Sequence, residues 1–96
     1  MPARELEFAL LARCASAARE LGASACDQRE ANLFRLAGML LYPRFPGESK
    51  ALLKAAERYF TAHPEEILAP AELVRKGWVV SLPRLRDMLG RQLAGH

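Results

Sequence analysis

The sequence predicts an all-α protein, a small bundle of four to five helices ending in a helix-turn-helix-like hairpin. Three observations lead there. Ala, Leu, Arg and Glu dominate, while the β-branched residues that favour strands are few. Apolar residues recur three and four positions apart over most of the chain, the spacing that lines one face of a helix. Prolines and glycines fall between these stretches, where they punctuate instead of interrupting. The chain has 96 residues, of which 51% are hydrophobic and 26% charged, so it reads as one folded domain. A chain of this size buries only about 60 to 65% of its unfolded surface, which makes a homodimer the expected state.

The first helix is expected over Ala3 to Leu21, with Pro2 tolerated ahead of it and Gly22 closing it in a left-handed conformation. Leu6, Leu10, Cys14, Ala17 and Leu21 form one stripe, and Phe8, Leu11, Ala15 and Ala18 a second beside it. So wide an apolar face packs against two neighbours, or against one neighbour and a second subunit. Ser24 or Asp27 caps the second helix, the pair also fitting a capping box. That helix runs to about Leu41, carries Leu33, Phe34, Leu36, Ala37, Leu40 and Leu41, and is the expected centre of the core. Tyr42-Pro43 ends it, because a residue before proline is pushed out of helical geometry.

Residues 43–49, PRFPGES, read as a linker between an amino-terminal helix pair (1–42) and a carboxy-terminal half (50–96). Ser49 is expected to cap a third helix reaching Ala62, with Leu52, Leu53, Ala56, Tyr59 and Phe60 inward and Lys50, Lys54, Glu57 and Arg58 in water. His63 and Pro64 stop it. A further turn over Pro64 to Leu68 then leads to a helix beginning at Ala69-Pro70. Leu40-Leu41-Tyr42-Pro43, in its helical setting, is similar to the LL-x-YP run of maturation chaperones for molybdenum oxidoreductases; no function is carried over from it.

The stretch from Glu72 to Leu93 is the one segment whose punctuation, charge and apolar spacing point together at an activity. Arg75 and Lys76 precede Gly77, the pattern of a helix closed by a left-handed glycine with cations at its negative end. Ser81 caps the next helix and Pro83 lies in its first turn, where a missing N–H costs little. Leu82, Leu85, Leu89 and Leu93 make an apolar stripe, leaving Arg84, Arg86, Asp87 and Arg91 on or beside the other face. The order Val74, Trp78, Val80, Leu85, Met88 resembles the apolar spacing of helix-turn-helix DNA-binding segments, whose second helix lies in the major groove. The resemblance implies that Ser81 contacts phosphate, that Arg84 and Arg86 face the groove, and that Arg75, Lys76 and Arg91 grip the flanking backbone. The competing reading is a helical hairpin that completes a core, with Trp78 and Val80 buried at the bend and the arginines solvated.

Charge placement sharpens this expectation. Residues 1–72 hold nine Lys or Arg against ten Asp or Glu, whereas residues 73–96 hold five against one, so the whole excess of +3 sits in the hairpin. That asymmetry suits DNA, whose phosphates supply most non-specific binding energy, and equally suits an acidic partner protein. Tyr42, Arg44, Phe45 and Trp78 are the candidate contacts for such a partner, since aromatic and arginine side chains anchor interfaces. The expected function is therefore a small DNA-binding regulator of transcriptional or plasmid and phage type, because it explains the charge asymmetry and the turn together; the alternative is a protein–protein adaptor or anti-regulator that never touches nucleic acid.

Catalysis, cofactors and metals are not expected. The histidines are His63 and the terminal His96, and there is no nucleophile elbow, zinc-protease or calcium-loop pattern. Glu65, Glu66 and Glu72 near His63 read as acidic residues favoured at helix starts. Cys14 and Cys26, placed on consecutive helices, are expected to be buried free thiols, set at heights about 9 Å apart and so beyond disulfide reach. The longest wholly apolar run, Met39 to Tyr42, is far short of the ~20 residues that cross a bilayer. The amino terminus lacks a signal pattern, and a cytoplasmic location is expected.

Overall fold

The computed structural model describes residues 3–20 and 22–95, with residues 3–10 described in backbone only. Five α-helices and one 3₁₀ turn follow in order: α1 (Ala3–Arg19), α2 (Gln28–Leu41), α3 (Pro46–Ala62), the 3₁₀ turn (Pro64–Glu66), α4 (Pro70–Arg75) and α5 (Leu82–Ala94). No strand occurs among the described residues. The expected helix end at Leu21, the terminal His96 and the stripe side chains of Leu6, Phe8 and Leu10 lie outside the described set.

The central pairing is α2 on α3; α1 lies against α3, and α5 closes against α2 and α1. Phe34, Leu52, Leu73 and Leu89, one each from α2, α3, α4 and α5, are fully buried where these helices meet. Helices α2 and α3 approach closely at Gly38. A side chain there would put its Cβ 2.8 Å from Leu53 Cγ and 3.0 Å from the Ser49 carbonyl oxygen. The Ser49 hydroxyl, itself buried, donates to the Gly38 carbonyl at 2.5 Å and satisfies the polar group at this crossing.

That crossing corrects two expectations. Ser49 does not cap α3 but lies inside it, and the helix begins at Pro46, so half of the supposed linker is helical. Proline is at home in a first turn, where its absent N–H would have no partner. The boundary at 43–49 therefore divides nothing, because the most extensive packing joins the helices on either side of it. The Tyr42–Pro43 peptide bond is cis.

Caps follow local chemistry. Asp27, not Ser24, caps α2 by accepting from the Glu30 N–H at 2.9 Å. Glu30 reaches back to the Cys26 N–H at 3.0 Å, so the reciprocal pair is Asp27 with Glu30. Gly77 has φ +77. Its N–H donates to the Val74 carbonyl and the Trp78 N–H to the Leu73 carbonyl, each at 3.0 Å, which closes α4 as its sequence predicts. Ser81 caps α5 by accepting from the Arg84 N–H at 3.2 Å.

Between α3 and α4 the chain is held by Asn32, which is 1% exposed on α2. Its amide nitrogen donates to the Glu66 carbonyl at 3.0 Å and the Gln28 carbonyl at 2.9 Å, and its oxygen accepts from the Leu68 N–H at 2.9 Å. Gln28 adds a second donor to the Glu66 carbonyl at 3.2 Å. Removing a buried side chain with three part-buried partners leaves the Leu68 N–H in particular unsatisfied. Asn32→Ala is expected to cost about 1–3 kcal/mol in urea unfolding, with amide-exchange protection lost first at Leu68. A variant as stable as wild type would show that water replaces the clamp.

The cysteines separate by environment. Cys14 is buried in the core, while Cys26 is exposed in the loop before α2 and is neither helical nor buried as expected. Burial pushes the Cys14 thiol from 9.0 up to about 12. The unfolded chain therefore gives up this proton first. The contribution of the neutral thiol is whole below about pH 9 and is lost as pH rises towards 12. The Tyr59 hydroxyl, pushed up to about 12 by donating to Glu66, acts in the same direction. A thiol reagent near neutral pH is expected to modify Cys26 alone in the folded chain and both thiols in denaturant, and stability should decline across the alkaline range. Equal labelling of both cysteines in the folded state would contradict the burial.

Candidate functional site

The positive residues of the carboxy-terminal stretch do not form one surface. Arg75 pairs with Glu72 one turn earlier on α4. Lys76 places its ammonium 5.5 Å from the Trp78 ring centroid, and the Arg29 guanidinium lies 5.7 Å from the same ring. Trp78 is half-buried with both cations supplied by its own chain, Val79 is the buried residue of the bend, and Val80 is 63% exposed. The expectation that Trp78 and Val80 fill the bend together is corrected accordingly. Along 78–80 the residues are half-buried, buried and exposed in turn, so the middle one alone is inward.

On α5, Arg84 and Arg91 are seven residues apart and share the exposed face. Arg86, two residues from Arg84, points about 200° away, because each helical residue turns the chain by about 100°. Arg84 and Arg86 are therefore not brought together. Arg86 instead lines a groove of about 290 Å³ with Tyr42, Pro43, Arg44 and Phe45 at the end of α2, floored by Leu40, Leu41 and Gly90. In that groove three of the four candidate partner contacts meet one of the candidate nucleic-acid contacts.

Each part of the groove has a local cause. The helix break at Pro43 throws Tyr42 outward, leaving its side chain 67% exposed. Arg44 stacks on Phe45 with its guanidinium carbon 5.0 Å from the ring centroid. Gly90 is buried against the Arg44–Phe45 connection, and a Cβ there would lie 3.3 Å from Arg44 Nη1, so the glycine makes the space in which the guanidinium sits. Arg86 Nε is 3.8 Å from Asp87, a loose and solvent-exposed pair. Arg44 pairs with no carboxylate among the described residues. Two guanidinium groups and a phenol thus converge on one small concavity with a single carboxylate at its rim.

Comparison of the chain with protein-family models, curated proteins and solved structures finds no match.

Two other places are less suited to a small ligand. The cleft under the bend, lined by Leu11, Cys14, Leu33, Trp78 and Val79, encloses about 20 Å³, well below the few hundred Å³ of a small-molecule site. His63, Glu65 and Glu66 hold ligand-type atoms within 4.8 Å of one another. Glu66 Oε1 there already accepts from the Tyr59 hydroxyl at 2.6 Å, and Oε2 faces His63 Nδ1 at 3.4 Å. This group finishes the clamp between α3 and α4. No described helix is long and apolar enough to cross a membrane.

Arg44 with Arg86 had no signal in the sequence, since the two are 42 positions apart and meet only because α5 packs on α2. Gly90 was equally silent. Gly90→Ala is expected to leave thermal stability unchanged or raise it by up to about 1 kcal/mol, because alanine is the better helix former. The same change should displace the Arg44 guanidinium, read as altered arginine side-chain nitrogen resonances. An unmoved Arg44 signal would mean that the glycine does not shape the groove.

Proposed function

We propose that this chain is a helical protein-binding module that captures an acidic segment of a partner protein in the groove between Tyr42–Phe45 and α5. The observation that carries this reading is the convergence of Arg44 and Arg86 beside an exposed tyrosine. Guanidinium groups bind carboxylates through paired, charge-assisted hydrogen bonds, and tyrosine and arginine are the residues on which interfaces most depend. A concavity of about 290 Å³ accommodates a few side chains of an extended or helical segment and no more. Long-range attraction comes from the net charge of +3.

The nucleic-acid reading draws on Arg84 and Arg91, which share a face with Asp87 at its edge. It is the weaker one, because α4 is only six residues long and α5 leans on α2 and α1. In a helix-turn-helix unit the first helix is what braces the second.

Selection from a displayed random-peptide library should enrich sequences rich in Asp and Glu. Binding of a selected peptide should fall by about tenfold or more, a loss of at least ~1.4 kcal/mol, for Arg44→Ala with Arg86→Ala, and stay near wild type for Arg84→Ala with Arg91→Ala. A labelled DNA duplex titrated at two salt concentrations should give no saturable binding. The proposal fails if no acidic sequence is enriched, or if the duplex binds and the Arg84 and Arg91 substitutions are the ones that abolish it.

A further inference from the structure

We infer that the face built by α2 and α3 around Met39, Leu53 and Ile67 is a self-complementary surface whose occupant is a second copy of this chain. Large apolar side chains left in water are concentrated here: Met39 is 47% exposed, Leu53 37% and Ile67 44%. Leu53 sits at the α2–α3 crossing, held over Gly38, so it is a fixed part of the surface and cannot fold inward without breaking this close helix approach. Beside it Ala56 and Phe60 floor a groove of about 290 Å³ that Arg35 of α2 and Glu57 of α3 border. This groove shares no lining residue with the one proposed for an acidic segment, and the inference stands independently of that reading.

Charge selects the occupant. The rim carries one cation and one anion on different helices, and among the described residues neither forms an ion pair within the chain. An acidic or a basic partner would match one of these charges and oppose the other. A two-fold axis over the apolar strip satisfies both at once, since it sets Arg35 of each copy against Glu57 of the other and buries Leu53 against its own equivalent. The polar rim around an apolar centre is the usual anatomy of such an interface.

Sedimentation of the full chain from micromolar to millimolar concentration should reveal a monomer–dimer equilibrium. Arg35→Glu alone and Glu57→Arg alone each place like charges across the axis and should weaken self-association by about tenfold or more. An equimolar mixture of the two variants restores opposite charges at both contacts, so native mass spectrometry should find the mixed dimer in excess over either pure one. Leu53→Asp should be monomeric, with helical circular dichroism unchanged to show that it folds. The inference is overturned if wild type stays monomeric throughout, if the single reversals associate as wild type does, or if the mixture shows no preference for the mixed dimer.

Discussion

A single buried carboxamide ties α2 to the connection between α3 and α4. Asn32 occupies a core position on α2, where the helical repeat would ordinarily place an apolar residue, and its three hydrogen bonds all end on backbone groups. Two of these belong to Glu66 and Leu68, in the short connection between α3 and α4, which has little regular structure of its own to satisfy them. Holding that connection against α2 determines where α4 starts. It also sets where Leu73 enters the core and, through the Gly77 turn, the direction from which α5 returns across α2 and α1. Glu66 serves the same clamp with its side chain, taking the Tyr59 hydroxyl, so α3 is tied to the connection as well. A fully satisfied buried polar cluster of this kind specifies one arrangement, because every alternative leaves a donor or acceptor dry.

Arginine has two distinct uses in this fold. Arg13 reaches Glu30 at 3.2 Å and the Ser24 carbonyl at 3.1 Å, Arg19 donates to the Gln92 carbonyl at 3.3 Å, and Arg58 donates to the Ala23 carbonyl at 2.7 Å. These side chains staple helix ends and loops, and their charge is spent inside the molecule. In the hairpin Arg75 is likewise paired with Glu72, and Lys76 is held over the Trp78 ring with its charge intact. The count of positive residues therefore overstates what a partner meets. Position matters more, and the pair drawn together across the fold is Arg44 with Arg86.

Legibility of the chain follows the range of the forces involved. Asp27, Gly77 and Ser81 act over three to five residues, and two of the three roles were read unambiguously. At α2 the choice between Ser24 and Asp27 needed the position of Glu30, whose carboxylate is also claimed by Arg13 from another helix. Proline and glycine at 46–47 read as breakers, yet α3 starts at Pro46, because proline at a first helical position costs little, and the Ser49 hydroxyl bonds across the crossing at Gly38 instead of capping. The helix-turn-helix resemblance implies that Arg84 and Arg86 face one groove, whereas the helical turn separates them by more than half a revolution.

By itself the sequence determined the class, the approximate helices, the caps at Gly77 and Ser81 and the sign of the net charge, since propensity, periodicity and capping are local and act on neighbours along the chain. Only the tertiary structure decided which helices pair, that Asn32 is a clamp, that Cys26 is open to solvent while Cys14 is sealed, and that Tyr42, Arg44 and Arg86 share one groove. The α2–α3 pairing and the groove depend on close approach at Gly38 and Gly90 between segments apart in the chain. A missing side chain leaves no pattern in a sequence until the partner that fills its space is known.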